Sequence, residues 1–273
     1  MRNFFHSHWK IIVALLLLIV VAVLTVSPAT TSAATPDLAE RLRGHVTAIA
    51  SREHNTATPR QRERAAVYIE TALASAGYRP IRQDSMAGGQ RVRNIEAAVG
   101  NVAQGKRPDR IFIVGAHCDS APGASGADDK GSGTAAVLEL ARLLKTVQPG
   151  AGTEVRFVFF VNEEPPANFI AFVGTLESSK LVREALAAFR AAPDFPAEGL
   201  AAPAHTTGVT LSDHSSYNRY GYPALMITDT AFMRYPYYHT AQDTPDKRDY
   251  ESMARVVNGL AKTIAALAGA KQG

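Results

Sequence analysis

The sequence predicts an α/β domain, with a mixed, mostly parallel sheet flanked by helices and one hydrophobic segment ahead of it. Three observations carry that expectation. Residues 111–115 and 155–161 are short apolar runs of the kind that form strands buried on both faces. A helix-forming stretch, 132–144, follows a Gly-rich turn and joins them, which is the βαβ rhythm of parallel pairing. Both runs end in clustered polar residues, where open α/β sheets build their sites.

Taken in order, the chain begins with Arg2 and Lys10 ahead of an apolar run over 11–26, interrupted by Thr25 and followed by Ser27, Pro28 and small residues to Ala34. That pattern predicts an export segment over 1–34, either a signal peptide or a membrane anchor, with a domain over 35–273 that works outside the cytoplasm. Small residues at Thr31 and Ala33, or Ser32 and Ala34, suit a signal peptidase. Leu38, Leu42, Val46 and Ile49 then recur at helical spacing over 37–51, and Ala65, Ala66, Ile69 and Leu73 repeat the pattern over 59–76. Residues 79–84 and 92–99 read as edge strands around a turn at 87–90. After the central βαβ unit come a strand at 169–173, a helix at 178–192, a strand at 224–228 and a closing helix at 250–268. No internal repeat or low-complexity linker interrupts them.

Hydrophobic residues make up 46% and charged residues 20% of the 273, enough apolar material for one ordinary core. The net charge of +4 is scattered among acids, as where Glu63 sits between Arg62 and Arg64, so the charge pattern predicts no nucleic-acid partner. A single cysteine, Cys118, excludes an intramolecular disulfide.

Three polar clusters stand at strand ends. The run 111–115 leads into Ala116-His117-Cys118-Asp119-Ser120. The next turn, Gly126-Ala127-Asp128-Asp129-Lys130-Gly131, sets paired carboxylates before a helix, and 155–161 ends in Asn162-Glu163-Glu164. Singly, these are ordinary features: a surface His-x-Asp pair, a helix cap and a solvated acidic face. Together, at the ends of strands that parallel sheets cover on both sides, they predict a metal site. Zinc takes imidazole and carboxylate ligands, and a carboxylate off the metal can accept a proton from water. Glu163 and Glu164 point opposite ways from extended backbone and so divide such roles. Lys130 reads as a turn residue, and Cys118, which points away from His117, as a buried one.

These clusters, with Tyr238-His239-Thr240-Ala241-Gln242-Asp243-Thr244 and Ser212-Asp213-His214, resemble the zinc aminopeptidases of peptidase family M28 from about Leu38 to the end. The resemblance implies that Asp129 bridges two zinc ions, that Glu164 and His239 complete one of them, and that His117 binds the other. It implies Glu163 as the general base, and peptides with a free N-terminus as substrates bound near the metals. Asp119 would orient His117 from behind and Asp128 would shape the turn. Tyr217 and Tyr220 are weak candidates for the pocket wall, and His205 and His214 match no ligand position.

One region departs from the family. Only seven residues, 162–168, separate the apolar runs 155–161 and 169–173, too few for the crossover that parallel neighbours need. Family members carry here a Gly-rich helical stretch and a strand ending in an aspartate, the remaining ligand of the zinc bound by the first-motif histidine. Asp194 lies in a turn-like Ala-Pro-Asp-Phe-Pro and replaces it poorly. The expectation is a sheet with exposed apolar edges. Three functions stay open: a zinc aminopeptidase, a catalytically impaired peptidase-like binding domain, and a zinc acyl transferase resembling glutaminyl cyclases.

Overall fold

A computed structural model describes residues 36–87, 89–161, 167–191, 195–230 and 235–270. The proposed export segment, Glu163, Glu164 and Asp194 lie outside the described residues. No helix among the described residues is long and apolar enough to cross a membrane.

Two helices open the domain, α1 (Pro36–Ile49) and α2 (Pro59–Ser75), close to the predicted spans. Their apolar stripes are wholly buried: Leu38, Leu42, Val46 and Ile49 on α1, and Ala65, Ala66, Ile69 and Leu73 on α2. A proline at the start of α2 has no amide hydrogen to leave unbonded.

Strands β1 (Ile81–Ala87), β2 (Gln90–Asn101), β3 (Arg110–His117) and β4 (Thr153–Phe160) form one sheet in the order β1-β2-β4-β3. Here β2 is an inner strand rather than the edge its sequence predicts, because β4 pairs along its second side from Ile95 to Asn101. Helix α3 (Gly133–Leu144) makes the crossover that lets β3 and β4 run parallel.

A second sheet holds β5 (Ala167–Thr175), β6 (Ala197–Ala202) and β7 (Leu225–Thr230) in the order β6-β5-β7. Helix α4 (Ser179–Arg190) crosses from β5 to parallel β6, while β7 runs antiparallel to β5. The short α5 (His214–Arg219) precedes β7, and α6 (Tyr250–Leu267) packs against α1, α3 and α4.

The expectation of a mostly parallel sheet is therefore corrected. Only β3–β4 and β5–β6 are parallel, and the other three pairings are antiparallel. The reason is in the connections. Helical crossovers join only those two pairs, and a turn of two residues between β1 and β2 permits nothing but a hairpin.

The short link after β4 leads to neither a parallel neighbour nor a hairpin. It leads out of one sheet into the other, and among the described residues β3 and β7 are edges of their sheets. On β3 the cost is visible: Ile111 and Ile113, side by side on one face, are 46% and 43% exposed. The neighbouring positions of that face are polar. Arg156 donates to Glu154 at 2.6 Å and lies 3.4 Å from Glu96, which accepts from Gln83 at 2.8 Å. The opposite face is apolar, with Ile95, Phe157 and Phe159 fully buried against the helices.

A charged cluster locks the helical layer. Glu139 on α3 is fully buried and accepts from Arg41 on α1 at 3.0 Å, from Arg142 at 2.7 Å, and bonds His45 at 3.0 Å. Burial alone would raise the Glu139 carboxyl, but the bonds from His45, Arg41 and Arg142 outweigh it and hold the group at about 2.

Candidate metal centre

The Gly-Ala-Asp-Asp segment forms a tight turn whose shape comes from two glycines. Gly126 has φ +73, and a Cβ there would lie 2.6 Å from the Asp129 carbonyl. Gly131, whose amide donates to the Gly126 carbonyl at 2.9 Å, has no room for a side chain against that carbonyl. The expected helix at 132–144 thus starts at Gly133, after a wound turn, Ala127–Ser132, in which Asp129 and Lys130 leave helical geometry. Both carboxylates of the turn are buried, Asp128 and Asp129 each at 1% exposure.

Four groups hold this turn. The backbone amides of Asp128 and Asp129 donate to the two carboxylate oxygens of Asp243, at 2.8 and 3.1 Å. Tyr235 donates its hydroxyl to the same carboxylate at 3.1 Å, and Ser125 donates to the Asp243 carbonyl at 2.6 Å. Burial raises the Asp243 carboxyl, and the bonds from Asp129, Tyr235 and Ala127 and the charge of His239 pull it back. Burial also raises Tyr235, keeping its hydroxyl protonated and donating. The Asp128 carboxylate meets the guanidinium of Arg248, which lies 3.9 Å from Asp229 on β7. Burial lowers Arg248 to about 10, still a cation at neutral pH.

With Asp128 occupied by Arg248, Asp129 faces the site. Its Oδ2 lies 3.0 Å from His239 Nε2. His239 has φ +56 and Lys130, beside Asp129, has φ +88; these are the two non-glycine residues with positive φ among the described residues. Such conformations are strained in side-chain-bearing residues and gather at functional sites. His239 also stacks on Tyr238, with ring centroids 3.8 Å apart.

His117 ends β3. Thr134, in the first turn of α3, donates to its carbonyl, and its ring lies 6.0 Å from Phe160. Its Nε2 is 2.9 Å from Asp213 Oδ2. Asp119 is buried, and its charge acts on His54, whose imidazole burial pushes down while the Arg52 carbonyl and Asp119 pull it back. Cys118 is buried, its thiol pushed up to about 12 by desolvation, so it is inert at neutral pH. His214 is buried and bonds the Val209 carbonyl at 2.6 Å, while His205 and Tyr220 face solvent.

Among the described residues, no three His, Cys, Asp or Glu side chains are grouped to hold a metal. The donors that do meet fit zinc in kind, an imidazole nitrogen against a carboxylate oxygen in each pair. Two ligands about 2.1 Å from a tetrahedral ion lie about 3.4 Å apart, so separations of 3.0 and 2.9 Å are close to such an edge.

Asp243 is the residue that sequence reading missed. Its signal was present, an aspartate four residues after His239, but its role joins backbone amides 115 and 114 residues away. Asp243→Ala leaves the Asp128 and Asp129 amides and the Tyr235 hydroxyl without their acceptor. At about 1–3 kcal/mol for an orphaned buried donor, the variant is expected to lose about 3 kcal/mol of unfolding free energy in a urea titration. A loss below about 1 kcal/mol would count against this clamp.

Comparison with known proteins agrees with this architecture. The sequence model described as peptidase family M28 matches residues 98–194 and 187–264, more than half of the chain. The uncharacterized protein YfbL of Escherichia coli (strain K12) is 32% identical over 258 residues, covering 72% of this chain and 78% of YfbL. Since 72% of 273 residues is about 197, about 60 positions of that alignment have no counterpart here. Aminopeptidase YwaD of Bacillus subtilis (strain 168) is 48% identical over 59 residues, 22% of this chain and 12% of YwaD.

Among solved structures, the Fimbriiglobus ruber glutaminyl cyclase superposes with a TM-score of 0.66 at 20% identity, covering 84% of this chain and 95% of the cyclase. A Zn-dependent exopeptidase from Parabacteroides distasonis ATCC 8503 superposes with a TM-score of 0.62 at 18% identity, covering 84% and 97%. At these identities the two structures establish the fold. The family match over most of the domain establishes more: the chain belongs to peptidase family M28 and is a zinc aminopeptidase-like protein.

Proposed function

We propose that this chain is an exported zinc-dependent aminopeptidase, and the observation that carries the reading is the buried Asp129 set 3.0 Å from His239 by the Asp243 clamp. Asp129 and His239, with Glu164 by family resemblance, would hold one ion, and His117 would serve a second. When bound, zinc lowers the pKa of water toward neutrality and polarises a carbonyl.

The chain's residues supply the rest of the chemistry. Glu163 takes the proton from the attacking water as its oxygen bonds to the peptide carbonyl carbon. The same residue returns a proton to the departing amine as the carbon–nitrogen bond breaks. The substrate's free amino group lies beside the metal-site carboxylates. Arg2, Lys10 and the apolar run 11–26 support export, as a cleaved leader or an anchor. The family resemblance leads one to expect an aspartate ligand in the region of the short link between β4 and β5.

The purified protein is tested on a panel of aminoacyl anilides, with Glu163→Gln as control. Cleavage is expected, falling by about 10²–10⁴-fold in the variant with zinc retained, the usual worth of a general base. No cleavage of any anilide would sink the aminopeptidase reading. The glutaminyl cyclase fold match motivates one further arm: peptides with N-terminal glutamine are expected to give no cyclised product.

A further inference from the structure

We infer that Arg248 is a positioning residue for the Asp129–His239 pair, one of two polar ties that set these side chains against each other. The inference rests on the proposed zinc site at those two residues and deepens it. Neither of them stands on a regular element. His239 has φ +56, and Asp129 leaves helical geometry within its turn. Their 3.0 Å separation therefore depends on how the segment that carries His239 is fastened to the turn that carries Asp129.

The two stretches are cross-linked twice, with opposite polarity. Asp243, four residues after His239, accepts from the amides of Asp128 and Asp129. Arg248, nine residues after His239, presents a cation to the Asp128 carboxylate, which is 1% exposed. The first tie grips two adjacent amides, about which the turn could still pivot. The second grips a side chain of the same turn and removes that freedom.

Arg248 is itself held at both ends. Its side chain is 14% exposed, and its Nη2 lies 3.9 Å from Asp229 on β7, so the guanidinium spans from the turn to the second sheet. Next along the chain, Asp249 accepts from the Ser252 amide at 3.0 Å and starts α6. Tyr250 is buried, donates its hydroxyl to the Pro245 carbonyl at 2.8 Å, and has the guanidinium of Arg43 from α1 over its ring at 4.3 Å. A planar cation placed in this way fixes the carboxylate it meets in direction as well as in charge.

The competing role is charge compensation alone, since a buried aspartate without a partner is costly whatever lies beside it. A variant that removes both charges separates the two. Asp128→Asn/Arg248→Met takes away the anion and the cation together, so the net charge around Asp129 is unchanged and no buried charge is orphaned. The tie between the two segments is lost.

The test is zinc affinity by chelator competition on the purified wild type, Asp128→Asn/Arg248→Met and Arg248→Lys, with the melting temperature of each metal-free protein as the check on folding. The double variant is expected to bind zinc about 10–100-fold more weakly, the usual effect of losing an outer partner. Its metal-free form is expected to melt near the wild-type temperature, because exchanging a whole buried ion pair is often close to neutral. Arg248→Lys, which keeps a cation at this position, is expected to retain most of the affinity.

A double variant that binds zinc as tightly as wild type would reduce Arg248 to charge compensation and overturn the inference, leaving the site at Asp129 and His239 standing. Arg248→Lys as weak as the double variant would also count against it, since a retained cation would then have restored nothing. A wild type that binds no zinc overturns the inference together with the zinc reading beneath it.

Discussion

Replacing Asp129 by asparagine is expected to abolish aminopeptidase activity, by at least about 10³-fold, and to release zinc from both positions. Asp129 is the carboxylate shared between the two proposed ions, and its oxygen faces His239 at 3.0 Å from a site that is 1% exposed. An amide keeps the shape but loses the charge that neutralises a divalent cation in a poorly solvated place. Removing Lewis-acid stabilisation worth several kcal/mol corresponds to about three decades or more in rate. The measurement is kcat/KM on an aminoacyl anilide alongside zinc per chain. Full activity with zinc retained in Asp129→Asn would show that the chemistry lies elsewhere.

Glu139→Ala should be a costly change to the scaffold, at about 2–3 kcal/mol, because it removes the buried carboxylate on which Arg41, His45 and Arg142 converge. The same group predicts the acid limb of stability. Its folded pKa, about 2, lies below the ordinary 4.5. Its contribution is therefore fully present above pH 4.5 and is lost as pH falls from there through about 2. Across that window the loss approaches about 3 kcal/mol, at about 1.4 kcal/mol per unit of pKa difference. Urea titrations between pH 6 and 2 should show that decline in wild type and a shallower one in Glu139→Gln. Equal slopes in the two proteins would assign the acid sensitivity to other carboxylates.

What sequence disclosed and what it hid follow a physical pattern. Helix α2 was legible because Ala65, Ala66, Ile69 and Leu73 recur at the helical period and bury one face. Strands β3 and β4 were legible as apolar runs, and the positions of His117 and Asp129 because one ends a strand and the other lies in a Gly-rich turn. The sheet split was foreshadowed by the seven residues between two apolar runs, too short for any crossover.

By contrast, β6 reads Ala-Glu-Gly-Leu-Ala-Ala, residues with weak strand preference. It is a strand because β5 offers it a parallel partner from Ile170 to Thr175, a tertiary cause invisible in local composition. The Asp243 clamp, the Arg248 contact with Asp128 and the Asp213 contact with His117 were hidden for a related reason. Each joins residues about 95–120 positions apart, and a single sequence carries no record of which distant polar groups meet. Asp119, expected behind His117, is buried, and its charge also acts on His54, 65 positions away.

The proposed function requires a metal site at Asp129 and His239 in a chain whose β4 and β5 are joined by only a short link. Zinc per chain, measured on the purified wild-type protein after dialysis against metal-free buffer, with His239→Ala alongside, tests it most directly. The account predicts at least one tightly held zinc in wild type and its loss in His239→Ala. A wild-type protein that folds, yet retains well under one zinc per chain, would contradict it.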